Sequence, residues 1–206
     1  MTNIRSGRWV PGQRLFENDL ANLSGVGRST VREALKHLAA ERIVDIVPHR
    51  GAFIRVLSRE EATELLEVLI VLNSLAARLA ARRIGEADHR KRFSLALERL
   101  RADGPRSNRA VHSNDRGGFY DVLFEISGNR ELARLHPAVA TQLLRLQVYP
   151  YLTNVDLDEA FEDSVALYEA IAGGDGNAAG RKIEASTRRR IAQLARLPAE
   201  AFANGR

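Results

Sequence analysis

No cysteine occurs among the 206 residues, so neither a disulfide framework nor a thiolate zinc site can hold this chain together. No apolar run approaches the roughly 18 residues that a membrane-spanning helix needs. Arg5 and Arg8 near the N-terminus are not followed by an apolar stretch, which is not the pattern of a secretory signal peptide. The cytoplasm is therefore the expected location, with no membrane partner. Catalytic signatures are missing as well: there is no GxxxxGK[ST] phosphate loop, and Ser164 and Ser186 lack a histidine placed to activate them. No internal repeat or low-complexity tract stands out.

What is present is a composition of 45% hydrophobic and 28% charged residues, enough for one large or two modest domains. The formal net charge is +5, and its placement says more than its size. From Met1 to Arg59 there are ten Arg and Lys against five Asp and Glu, and from Glu60 onward twenty-one of each. The positive surplus thus sits in the N-terminal segment, which favours a polyanionic partner for that part alone.

That segment contains the most informative stretch, Leu15 to Val56. Leu15, Leu20 and Leu23, then Val31, Leu35 and Leu38, recur at helical spacing. Ser24-Gly25-Val26-Gly27 between them predicts a turn, because two glycines would cost a continuous helix about 2 kcal/mol. Helices are expected over Glu17–Leu23 and Arg28–Glu41. The β-branched runs Ile43–Val47 and Ala52–Val56 then bound the basic tip Pro48-His49-Arg50-Gly51 and predict two strands. Helix, turn, helix and two-stranded wing form a unit that reads double-stranded DNA. Ser29 and Thr30 are short enough to meet phosphate or a base edge at a helix N-terminus. Arg28 and Arg32 share a face and can fork onto guanine or clamp phosphate, with Lys36 a turn further along the same flank. Gly51 lets the wing backbone come close to a groove, with Arg50 reaching in. The competing view is that such Arg and Lys form an ordinary solvated face; turn, second helix, wing and localised charge together argue against it.

From Ser58 onward only helical patterns occur, predicting an antiparallel bundle in a mostly α protein. Ser58 and Glu61 form a capping box ahead of a helix that runs to about Arg83. Further helices are expected at Glu86–Arg101, Asp115–Ser127, Glu131–Tyr149, Leu157–Ala172 and Asn177–Leu197, with Asp156 and Glu159 capping the helix at 157. Gly104–Asn108, Gly128-Asn129, Tyr149-Pro150-Tyr151 and Gly173–Gly176 supply the breaks. The domain boundary is placed between residues 57 and 58, giving 1–57 and 58–206.

Pro11-Gly12, Leu15-x-Glu17-x-x-Leu20-Ala21 and Val26-x-Arg28-x-x-Val31-Arg32-Glu33-Ala34-Leu35 resemble the GntR family of bacterial transcription regulators. Phe119, Ser127-Gly128-Asn129 and Ala170-Ile171-x-x-Gly174-Asp175 make the second half look like the all-helical FCD sensor domain of that family. The resemblance covers nearly the whole chain. It implies a homodimer in which Arg28 and Arg32 contact operator DNA, with Ser29, Thr30 and Gly51 close to its backbone. Two departures stand out. Gly27 occupies the place where a serine usually begins the recognition helix, a change costing only a few tenths of a kcal/mol. The chain also starts almost inside the end of the family's first helix, so either the native start lies upstream or the domain makes do with a stub.

Many FCD domains resemble metal sites built from one Asp and three His, a set suited to a divalent first-row metal. Matched residue by residue, those positions fall here on Arg116, Tyr120, Ser164 and Ser186, and Asp115 is out of register by about 100° of helix. None of His37, His49, His89, His112 and His136 falls in a matching place, so no metal or cofactor is expected. The resemblance instead implies that Arg116, Tyr120, Ser164 and Ser186 line the same cavity, with Leu69 and Asn73 making another wall more apolar than usual. A small-molecule effector is then expected: an organic acid with a polar head and an apolar body. The alternative is that these six are packing or surface residues in a domain that only dimerises. Tyr149, Tyr151 and Phe161 are expected as packing. The preferred reading is an effector-responsive repressor, not an enzyme, bound as a dimer to a palindromic operator. A non-sensing DNA-binding protein, or a helical-domain enzyme with a nucleic-acid anchor, are the alternatives.

Overall fold

The computed structural model describes residues 8–102 and 109–203, with the backbone alone at 109–114. The stub of a first helix, the break at Gly104–Asn108 and the side chain of His112 lie outside the described residues.

The N-terminal unit runs β1 (Arg14–Leu15), α1 (Glu17–Ser24), α2 (Arg28–Ala40), β2 (Val44–Val47) and β3 (Gly51–Ile54). Gly25 ends α1 in the left-handed region at φ 68°, a conformation that costs other residues strain, and its N–H returns to the Ala21 carbonyl. Only Val31 and Leu35 of α2 are buried, so the helix docks along one edge and leaves the rest of its surface to solvent. They pack with Leu15, Ile43, Val44, Ala52 and Ile54. Burying each such Val or Leu stabilises the unit by about 1.5–3 kcal/mol.

The wing pairs Val44 with Ile54 and Val47 with Gly51 in an antiparallel hairpin. A third strand joins it: β1 lies on the other edge of β3, Arg14 opposite Phe53. The two-strand expectation missed it because a two-residue strand has no alternation to detect.

The helical bundle comprises α3 (Arg59–Arg83), α4 (His89–Ala102), α5 (Arg109–Ser127), α6 (Arg130–Leu135), α7 (Ala138–Val148), α8 (Asn154–Ala172) and α9 (Gly176–Arg196), with short 3-10 turns at Tyr149–Tyr151 and Ala199–Ala201. The Ser58–Glu61 capping box forms as the sequence predicts. Two expectations need correction. The helix at Glu131–Tyr149 is broken at His136-Pro137, since proline cannot donate an amide proton and pushes the preceding residue out of the helical region (His136 ψ 119°). The cap ahead of α8 is Thr153, not Asp156. The Thr153 hydroxyl accepts from the Asp156 N–H and the Asp156 carboxylate accepts from the Thr153 N–H, so Asp156 is the third helical residue of that capping box.

α3 packs most extensively along α9. Ala76, Ala77, Ala80 and Ala81 of α3 and Ala179 of α9 are buried in one core, where small side chains leave room for neighbouring helices to approach. The same core continues around Phe93, Phe119 and Tyr168, whose rings stack or tilt against one another at 4.7 and 5.4 Å.

The two units share their other core. Leu57, at the junction, is buried with Leu35 and Ile54 on one side and Leu66 and Leu143 on the other. Gln147 of α7 clamps this junction. Its amide donates to the carbonyls of Leu57 and Ala201 and its Oε1 accepts from the Leu57 N–H, each at 2.9 Å.

Candidate functional site

The first candidate surface is the outward face of α2 with the wing. Arg28, Ser29, Thr30, Arg32, Lys36, Arg50 and Gly51 are all exposed. Gly27 caps α2 with no side chain, and no acidic residue lies in the first turn, so the positive helix end and its free N–H groups are uncompensated. Arg32 is held from below: its Nε donates to both carboxylate oxygens of Glu17 at 2.8 and 3.0 Å. Lys36 pairs with Glu33 at 2.9 Å.

At the wing, Gly51 takes φ +96°, a conformation other residues adopt only with strain. The guanidiniums of Arg50 and Arg14 each lie 5.9 Å from the Phe53 ring, and Arg14 also stacks 4.8 Å from Phe16. Sequence reasoning missed Arg14 and Glu17. Each acts through a residue distant in sequence, and the third strand that carries Arg14 had no visible period.

The second candidate is a cavity of about 370 Å³ in the helical bundle, walled by α3, α5, α7, α8 and α9. Of the six residues matched to an effector pocket, Arg116, Tyr120 and Asn73 line it. Arg116 is 3% exposed. Its Nη1 donates to the Ala160 carbonyl at 2.7 Å and to the Ser164 hydroxyl at 3.2 Å. Its Nη2 is buried with no hydrogen-bond partner. Tyr120 lies between two guanidiniums, 5.9 Å from Arg116 and 5.8 Å from Arg145. Burial strips water from Arg145 and lowers its proton affinity; Tyr149 acts in the opposite direction, and the nearby Arg116 charge adds to the lowering.

Ser164, Ser186 and Leu69 are buried but not among the lining residues. The two hydroxyls are turned to their own helices, Ser164 donating to the Ala160 carbonyl and Ser186 to that of Ile183, each at 3.1 Å. Ser164 still reaches the site indirectly by accepting from Arg116. Tyr149, expected only as packing, lines the cavity. So do Arg145 and Arg190, two cations that sequence reasoning did not single out.

The residues present do not fit a metal. Where the resembled family has its aspartate stands a buried guanidinium, which repels a cation, and among the described residues no group of three His, Asp or Glu comes together as ligands.

Comparison with known proteins agrees with this architecture. The model for bacterial regulatory proteins of the gntR family matches residues 2–54, and the FCD domain model matches residues 64–189, more than half the chain. The chain belongs to the GntR family, with an FCD domain. Among curated relatives, the "Probable D-xylose utilization operon transcriptional repressor" of Paenarthrobacter nicotinovorans is 26% identical over 98% of this chain and 85% of its own length. The transcriptional regulator LutR of Bacillus subtilis is 28% identical over 84% and 87%. A GntR structure from Rhodococcus sp. RHA1 superposes with a TM-score of 0.79 at 24% identity, covering 94% of this chain and 92% of that one. E. coli McbR/YncC gives 0.78 at 19% identity over the same shares. At these identities the two structures speak for the fold alone. This GntR protein is a DNA-binding transcription regulator, its recognition helix α2 and wing exposed together on one small domain. Among the described residues, no helix is long and apolar enough to cross a membrane.

Proposed function

We propose that this regulator is a cytoplasmic, ligand-responsive repressor that binds a roughly palindromic operator as a homodimer, with an organic acid seated in the helical cavity. It is a regulator and not an enzyme. The observation that carries the effector reading is Arg116: a buried cation lining the cavity, with one guanidinium nitrogen anchored and the other left without an acceptor. A carboxylate would supply the missing acceptor, and Leu66, Leu144, Val148 and Leu194 would take an apolar body. The surface formed by Arg28, Ser29, Thr30, Arg32, Lys36, Arg50 and Gly51 supplies the DNA contacts, α2 entering the major groove.

Each chain carries one reading head, so a palindrome needs a second copy. An apolar stripe on α3 supports that pairing: Val68, Val71 and Leu75 lie on one flank, 53, 67 and 42% exposed. Repression is carried over from the Paenarthrobacter relative, a transcriptional repressor by name. The domain boundary at residues 57 and 58 places Leu57, with its Gln147 clamp, between reader and sensor.

The alternative of a helical domain that only dimerises is disfavoured by the cavity itself and its unpartnered polar atoms. Thermal unfolding of the purified protein with small carboxylates tests the effector reading. We expect carboxylates to raise the melting temperature and EDTA to leave it unchanged. Indifference to every carboxylate, or a fall with EDTA, would sink the metal-free effector reading.

A further inference from the structure

The cavity holds more buried positive charge than its own carboxylates balance. Arg116 on α5 and Arg190 on α9 both line it, and each has a buried Nη2 with no hydrogen-bond partner. The lining carboxylates are Asp156, Glu159 and Asp163. Asp163 is paired with Arg189. Asp156 is occupied by Thr153 in the capping box of α8 and is further stabilised by Gln193 and Arg196. Glu159 is exposed, so water screens its charge. Arg145, the third inner guanidinium, has a partner in Gln142 at 3.1 Å. Two guanidinium nitrogens on different helices are thus left without acceptors, where burial makes an unpaired charge costly.

Arg116 and Arg190 each lack one acceptor, and a ligand with two carboxylates supplies both. We propose that the effector is a small dianion with an apolar middle, a dicarboxylic acid whose two carboxylates meet Arg116 and Arg190. This rests on the effector reading above and narrows it. Leu144, Val148 and Leu194 supply the apolar wall for the spacer. The cavity's roughly 370 Å³ lies near the lower end for ligand sites, which suits a short acid. Two cations that each lack an acceptor also give selectivity. The monocarboxylate of equal length would leave a buried guanidinium desolvated and unpaired, a mismatch that polar sites reject strongly.

Isothermal titration of the full chain with straight-chain dicarboxylates of four to six carbons, the matching monocarboxylates and inorganic phosphate tests the proposal. A dicarboxylate is expected to bind at least tenfold more tightly than its monocarboxylate. Arg190→Gln should abolish that preference, whereas Arg181→Gln on the exposed side of α9 should preserve it. Equal affinity for mono- and dicarboxylates in the unmodified protein, a measurement independent of how the variants fold, would overturn the proposal and leave the effector reading standing. Preference for inorganic phosphate over every dicarboxylate, or an intact preference in a folded Arg190→Gln protein, would also overturn it. Failure of every carboxylate to bind at millimolar concentration would remove both.

Discussion

On the proposed reading, Arg32 is oriented for DNA before DNA arrives. Both oxygens of Glu17 engage its Nε, which fixes the plane of the guanidinium while the two terminal nitrogens project from a side chain that is 64% exposed. An exposed ion pair of this kind contributes only about 0–1 kcal/mol to folding, so its value lies in orientation. Arg32→Ala should therefore leave the unfolding temperature nearly unchanged while weakening operator binding by about 1–3 kcal/mol, the usual range for losing a base-reading Arg. Fluorescence anisotropy with operator and random-sequence duplexes would show it; equal loss on both duplexes would demote Arg32 to a phosphate contact. Residues such as Arg32 and Arg28 were legible in the sequence because the motif fixes their places. Glu17 was visible as part of the motif, but not as the partner of Arg32. Arg190 was invisible, because its significance depends on a cavity built by five helices.

Among the elements, α7 connects the cavity to the junction between the units. Leu144, Arg145 and Val148 face the cavity, while Gln147 holds Leu57 and Ala201. The Ala203 N–H also donates to the Leu57 carbonyl at 3.1 Å, and Arg59 donates to Leu197 at 2.8 Å and stacks on Phe202 at 4.4 Å. A shift of α7 on ligand binding would thus be passed to the segment that carries the reading head. Gln147→Ala leaves buried partners unsatisfied and should cost about 1–3 kcal/mol of stability. Carboxylate affinity should survive in this variant while the effect of the acid on operator affinity shrinks. Full retention of that effect would show that the clamp does not transmit the signal. Periodicity placed α3, α5 and α9 within a few residues, apart from the start of α5. It ran α6 and α7 together because helical spacing continues across His136-Pro137, and there only the proline records the break.

At the scale of the whole molecule, the DNA-binding unit and the helical unit share a continuous core through Leu57, so the reader is not a freely tethered module. Its excess positive charge lies in the DNA-binding segment, which makes operator binding steeply dependent on salt. The α3 stripe is the surface assigned to the second copy. Val71→Glu should turn the dimer into a monomer in sedimentation equilibrium and sharply weaken palindrome binding; an unchanged dimer would place the interface elsewhere. The general plan was legible because capping boxes, glycine turns and the two periodicities agree along the chain. The pocket was only partly so: Arg116, Tyr120 and Asn73 line the cavity, whereas Ser164 and Ser186 spend their hydroxyls on helix carbonyls.

The central claim is that an acid bound in the helical cavity changes the grip on DNA, which requires different affinities for the two poises of the reader. The most direct measurement is operator affinity with and without a saturating dicarboxylate, in the unmodified protein and in Arg116→Gln. A coupling of about 1–3 kcal/mol predicts that the acid weakens operator binding by roughly 5–150-fold, and that Arg116→Gln binds operator normally but no longer responds. An operator affinity that stays constant while the acid demonstrably occupies the cavity would contradict the account.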